Sequence, residues 1–221
     1  MPSFDVLIVG SGHGGASAAI ALRQAGFPGS VAIVSADPAP PYERPPLSKD
    51  YLAGAKTFER ILIRPPDFWA ERGIELLLGQ QIVRVDPDTH AVTTAEGETL
   101  RYGALIWAAG GTPRRLGRVG EELAGVHAIR SRADADAIRR DLPGVETVAV
   151  IGGGYIGLEA AAVLRGLGHG VVLLEAAGLV LSRVAGPPLS AFYESEHRAR
   201  GVEIRTGVTV EAIDNGAVRL A

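Results

Sequence analysis

The apolar run Phe4-Asp5-Val6-Leu7-Ile8-Val9 is nearly continuous, which predicts a strand buried on both faces. It breaks at Gly10-Ser11-Gly12-His13-Gly14-Gly15, and the small residues from Ala16 to Arg23 then predict a helix that stops at Gly26. Val31-Ala32-Ile33-Val34 supplies a second strand ahead of a proline-rich loop starting at Asp37-Pro38. The same order returns later in the chain. Thr147-Val148-Ala149-Val150-Ile151 reads as a strand, Gly152-Gly153-Gly154-Tyr155-Ile156-Gly157 as a turn and Leu158 to Leu167 as a helix. Val171-Val172-Leu173-Leu174, ending at Glu175, reads as the next strand. The chain therefore contains an internal repeat of a βαβ unit.

Between the two copies lie a loop at 37–60, strand candidates at 61–63, 74–78 and 81–85, a hairpin through 90–102 and a strand at 104–109. Gly110-Gly111-Thr112-Pro113 interrupts the pattern, so the expected domains are 1–112 and 113–221. A connector containing a helix-like stretch from Ala133 to Arg140 opens the second, and short strands and turns from Val202 to Leu220 close it. The expected class is α/β, with two Rossmann-like three-layer dinucleotide-binding domains.

Composition narrows the chemistry by exclusion. The chain has 221 residues and a net charge of −3, with no basic excess to hold a phosphate backbone, so nucleic acid is not an expected partner. No run reaches the roughly 18 apolar residues of a membrane span, and no basic leader precedes an apolar core. A soluble, cytoplasmic protein is the expectation. Cysteine is absent, which removes disulfides, thiolate metal sites and dithiol relays from these residues. The five histidines are scattered, so no metal site is expected. Neither a G-x-S-x-G elbow nor a G-x-x-x-x-G-K-[ST] loop occurs.

Twenty-nine glycines in a chain of this length give about half a random match to G-x-G-x-x-G, so one match alone carries little. Two matches, each after a buried strand and opening a helix, carry much more. Gly10 and Gly152 suit the tight turn, and Gly12 and Gly154 let backbone approach a pyrophosphate. Gly15 and Gly157 suit close packing of helix on strand. Each helix N-terminus then offers free N–H groups to phosphates. An acid at the end of the second strand of such a unit binds the ribose hydroxyls. Glu175 stands eighteen residues beyond Gly157, and its carboxylate should repel a 2′-phosphate, favouring NADH. In the first copy Ser35 and Ala36 follow the strand and the acid comes at Asp37, which either serves the ribose or initiates the turn before Pro38. Two such sites imply a flavin in the first and a nicotinamide in the second.

The segment Pro41-Tyr42-Glu43-Arg44-Pro45-Pro46-Leu47-Ser48-Lys49-Asp50-Tyr51-Leu52 resembles the Y-[DE]-R-P-P-L-S-K stretch of FAD-dependent NADH:ferredoxin reductases, the putidaredoxin, rubredoxin and dioxygenase ferredoxin reductase type. The resemblance extends through Ala108 to Arg114, Ile129-Arg130-Ser131, Val150 to Glu159 and Pro187 to Tyr193, in the family order. It implies a pyridine nucleotide-disulfide oxidoreductase-like fold binding FAD and NADH, with hydride passing to flavin and single electrons to an iron–sulfur ferredoxin or a rubredoxin. By the same resemblance Gly12, Gly14 and Gly15 face the FAD pyrophosphate, with Arg44 near the phosphates. Ala36 and Asp37 lie at the ribose and Ile82 at the adenine, while Ala109 and Arg130 complete the shell. Lys49 lies at the flavin with Glu159 nearby, and Gly154, Tyr155, Ile156, Glu175 and Arg183 meet NADH. A cation near the flavin favours its anionic reduced form. On composition alone, Lys49 also fits a solvated loop, and Glu159 a favourable charge near a helix N-terminus.

Ala36 replaces an acid common in that family. Family members are considerably longer, so the chain is expected to be an N-terminal fragment lacking the C-terminal part. Disulfide reductases and NADH peroxidases share the fold but need cysteine near the flavin. A further alternative is a non-catalytic dinucleotide-binding protein. Arg114, Arg115 and Arg118 form a basic cluster that either meets an acidic ferredoxin or is simply solvated.

Overall fold

The computed structural model describes residues 1–221, which form two compact units. The first comprises Met1–Arg44 and Thr57–Thr112, the second Pro45–Lys56 and Pro113–Ala221. The break at 112 coincides with the glycine-rich interruption in the sequence. Segment 45–56, which the sequence places in the first half, packs with the second unit instead.

In the first unit, strands β1 (Ser3–Val9), β2 (Val31–Ser35) and β3 (Ile74–Leu78) are parallel, and β6 (Thr99–Trp107) runs parallel to β1 on its other edge. With β4 (Ile82–Asp86) and β5 (Ala91–Thr94) the sheet order is β3-β2-β1-β6-β5-β4. Both faces of the parallel strands are covered, which is why they read as unbroken apolar runs. Val6, Ile8, Val31 and Ile33 meet helices α1 (His13–Gln24) and α2 (Pro66–Glu71) through Ala16, Ala19 and Trp69. Leu7, Val9, Ala32 and Val34 face the antiparallel part through Val92, Leu100 and Tyr102. Helix α1 stops where expected: Gly26 has φ +75°, the Gly26 N–H donates to Arg23 and the Phe27 N–H to Leu22, closing a Schellman turn.

The second unit repeats this plan. Strands β7 (Thr147–Ile151), β8 (Gly170–Glu175) and β9 (Val202–Thr206) are parallel in the order β7-β8-β9. Val171 and Leu173 pack against helix α4 (Tyr155–Gly166), while Leu174 meets Val210 and Ile213 of the hairpin β10 (Val210–Asp214) and β11 (Ala217–Leu220). Helix α3 (Arg132–Asp141) begins with a reciprocal cap in which Ser131 Oγ accepts the Asp134 N–H and Asp134 accepts the Ser131 N–H. Strand β1 has neighbours on both edges, whereas β7 pairs only with β8.

One expectation needs correction, and two helices are additional to those expected. Residues 61–63 form no strand: a short 3-10 turn covers Glu59–Ile61 and Leu62 makes one isolated bridge to Tyr42, because Pro65 and Pro66 follow and supply no N–H to a ladder. Pro66 instead starts α2 at a position where its missing N–H costs nothing. Helix α5 (Pro187–Ala199) also begins on prolines and was not anticipated from the hydrophobic pattern.

Candidate functional site

The two glycine turns are superposable in their logic. Gly10 and Gly152 both have φ +107°, and their N–H groups donate to Val34 and Leu174 carbonyls at 2.8 Å in each case. A Cβ on Gly15 would fall 1.8 Å from the Gly10 oxygen, and one on Gly157 1.9 Å from the Gly152 oxygen, so helix and turn meet without room for a side chain. A Cβ on Gly10 would also strike Ala108 and Ala109, which places Ala109 beside the first turn.

The middle glycines behave differently. Gly12 and Gly154 cap α1 and α4 with φ −71° and −81°, values open to any residue. A Cβ on Gly154 would meet nothing within 4 Å, and one on Gly12 only Arg44 Nε at 3.8 Å. No contact inside the chain explains glycine at these two positions. Neither cap carries a side-chain hydrogen bond, so the first N–H groups of α1 and α4 face an open surface suited to phosphate oxygens. The residues present fit two dinucleotides.

Around the first turn, the Ser11 hydroxyl donates to Ser35 Oγ at 2.8 Å and both are buried. Asp37 Oδ1 accepts the Ala39 N–H at 3.1 Å, and Oδ2 accepts the Tyr42 hydroxyl at 2.7 Å. The carboxylate thus organises the turn, one of the two roles its position allows. Arg44 lies with its guanidinium 5.3 Å from the Tyr42 ring centre and 3.8 Å from Asp37 Oδ2, next to Gly12. Ala36 is exposed, and Ile82 packs against the apolar cluster of β1 and β2.

Around the second turn, Glu175 Oε2 accepts the Gly153 N–H at 2.6 Å and Oε1 the Ala177 N–H at 2.8 Å. The acid at the end of β8 is therefore bonded to the second glycine turn. Since Val34 and Leu174 are equivalent acceptors, Ser35 is the counterpart of Glu175, and Ser11 of Gly153. The Ser11–Ser35 pair was not singled out in the sequence, although the register of the repeat points to it. Tyr155 and Ile156, the first residues of α4, are each 55% exposed, and Arg183 is exposed in the loop before α5. Leu181 takes φ +55°, buried there while its N–H donates to the Gly153 oxygen.

Lys49 and Glu159, far apart in sequence, meet in the second unit. The Lys49 Nζ lies 2.8 Å from Glu159 Oε1, and the Ser48 hydroxyl donates to Oε2 at 2.6 Å. Segment 45–56 is further fastened to α3: Tyr51, buried, donates to Asp136 Oδ1 at 2.7 Å and lies under the Arg139 guanidinium at 5.5 Å. Arg130, just ahead of α3, donates its N–H to Asp134 at 3.0 Å. In the 114–118 cluster, Arg115 pairs with Glu121 and Glu122. There is no group of three or more metal-ligating side chains, and no helix is long and apolar enough to cross a membrane.

A parallel sheet with a glycine cradle at the end of its first strand, present twice, defines an α/β protein of the FAD/NAD(P)-binding class. The chain belongs to the pyridine nucleotide-disulphide oxidoreductase family, whose sequence profile matches residues 4–221. It is similar to the ferredoxin reductase subunit of 5,5'-dehydrodivanillate O-demethylase from Sphingobium sp., with 57% identity over 214 residues covering 97% of this chain and 52% of that protein. It is 43% identical over 210 residues to putidaredoxin reductase of Pseudomonas putida, covering 93% of this chain and 50% of that one. Among solved structures, the covalent putidaredoxin reductase–putidaredoxin complex matches with a TM-score of 0.90 at 40% identity, covering 96% of this chain and 51% of its own. The chain spans about half the length of the curated relatives it matches.

Proposed function

We propose that this chain is the two-dinucleotide part of an FAD-dependent NADH:ferredoxin reductase. The observation that carries the reading is the pair of middle glycines, Gly12 and Gly154, where a Cβ would meet only Arg44 Nε at 3.8 Å in the first case and nothing within 4 Å in the second. In this reading Gly10, Gly12, Gly14 and Gly15 cradle the FAD pyrophosphate, and Arg44, oriented by Tyr42 and Asp37, neutralises its charge. Ala36 and Asp37 flank the ribose, Ile82 the adenine, and Ala109 and Arg130 complete the FAD shell. Gly152, Gly154 and Gly157 admit NADH, with Tyr155, Ile156 and Arg183 beside it, and Glu175 favours the unphosphorylated ribose.

Bound FAD would take a hydride from NADH and release electrons singly to an iron–sulfur ferredoxin or a rubredoxin. The chain's own contribution is orientation and charge: the Lys49 ammonium, paired with Glu159, supplies a fixed cation for the flavin. With no cysteine among these residues, no thiol of this chain receives the electrons, which favours an external acceptor over a disulfide. The relatives named as ferredoxin and putidaredoxin reductases support the same choice.

The test is calorimetric titration of the chain with FAD and with NADH, separately and in sequence. Two independent sites, each still open after the other is saturated, are the expected result. Competition between the two ligands for one site would refute the reading.

A further inference from the structure

Glu159 is the fifth residue of α4, and its two carboxylate oxygens have different partners. Oε1 faces the Lys49 ammonium at 2.8 Å, while Oε2 accepts the Ser48 hydroxyl at 2.6 Å. The second distance is that of a charge-assisted O–H···O⁻ bond. Ser48 is 4% exposed, whereas the Lys49 and Glu159 side chains are 47% and 29% exposed. The ion pair by itself is the kind that water and rotamer freedom weaken, and the buried hydroxyl is the part that is fixed.

The backbone explains why both donors reach one carboxylate. Residues Pro45–Ser48 form a 3-10 turn with proline at its first two positions, and the N–H groups of Lys49 and Tyr51 both donate to the Pro46 oxygen at 2.9 Å. Ser48 and Lys49 therefore leave a rigid turn side by side. Tyr51, bonded to Asp136, fastens the same turn to α3.

We propose that Ser48 is a positioning residue: its hydroxyl holds Oε2 of Glu159 and so presents Oε1 to Lys49, fixing the ammonium in place. The inference rests on the reductase reading for its purpose, since an orientated cation serves the flavin. Its geometry is set by side chains of this chain and needs no bound flavin.

The chain offers a clean readout because it has only two lysines, Lys49 and Lys56, against twenty arginines. Lys56 pairs with Asp50 at 2.9 Å and shares the segment, so it reports any general opening. The experiment is competitive acetylation of the two amines by an N-hydroxysuccinimide ester, with the Lys49 to Lys56 ratio read by mass spectrometry. Ser48→Ala should raise that ratio about threefold, as expected for loss of a hydrogen bond to a charged, part-exposed group. Ser48→Thr, which keeps the hydroxyl, should restore it, and Ser48→Ala should add nothing in a Glu159→Ala background. An unchanged ratio, an equal rise at both lysines, or a full effect without Glu159 would overturn the proposal. The readout uses no flavin, so a chain that passes it and yet shows no flavin reduction by NADH would count against the reductase reading alone.

Discussion

Glu175 accepts the Gly153 N–H at 2.6 Å, so the acid at the end of β8 is locked onto the glycine turn instead of pointing freely into solvent. The bond orients the carboxylate and, with the second bond to Ala177, leaves it further lone pairs, which in the proposed role would accept ribose hydroxyls. In that role a fixed negative charge would discriminate against a 2′-phosphate by repulsion. Glu175→Ala is expected to weaken NADH binding by about tenfold and to strengthen NADPH binding, because a charge-assisted bond and a repulsion are lost together. Fluorescence titration with each nucleotide checks both directions.

The middle and last glycines of each motif should separate binding from stability. Gly154→Ala meets no atom within 4 Å at an ordinary φ, so folding should be unaffected or gain up to about 1 kcal/mol from a stiffer unfolded chain. Dinucleotide affinity should fall at least about tenfold, since the methyl group occupies the ligand's approach. Gly157→Ala puts a methyl 1.9 Å from the Gly152 oxygen and should cost about 2–4 kcal/mol of stability. Thermal unfolding and nucleotide titration on both variants test the contrast, and equal loss of stability in the two would refute it.

Tyr51 should give the chain an alkaline signature. Burial, and then the hydrogen bond to Asp136, raise its phenol above the ordinary tyrosine value. The folded state thus prefers the neutral phenol, so its contribution is complete below the ordinary value and disappears as pH rises through the raised one. Tyr51→Phe should remove about 1 kcal/mol at neutral pH. In a near-ultraviolet titration of the five tyrosines, the same substitution should remove one ionisation lying above the ordinary tyrosine value.

The glycine turns, the strands β1, β2, β7 and β8 and the covered sheet faces were legible because continuous apolar runs bounded by glycine admit few other structures. Helix α3 was expected over Ala133 to Arg140, whereas its reciprocal cap by Ser131 and Asp134 emerged only from the structure. The strand expected at 61–63 failed because its apolar residues lie in a turn set by the following prolines. Segment 45–56 falls with the second unit for a different reason: Tyr51 and Ser48 find Asp136 and Glu159, contacts the sequence did not indicate, whereas the nearness of Lys49 to Glu159 was expected from the family resemblance. For Asp37 the residues left two roles open, and the bonds to Ala39 and Tyr42 show how the turn uses it.

The central claim is that the two cradles serve one redox reaction. Its most direct test is the visible spectrum of the chain loaded with FAD, followed anaerobically as NADH is added. Bleaching of the bound-flavin bands by NADH, and its loss in Gly154→Ala, is the result expected. A bound-flavin spectrum that NADH leaves unchanged would contradict the account.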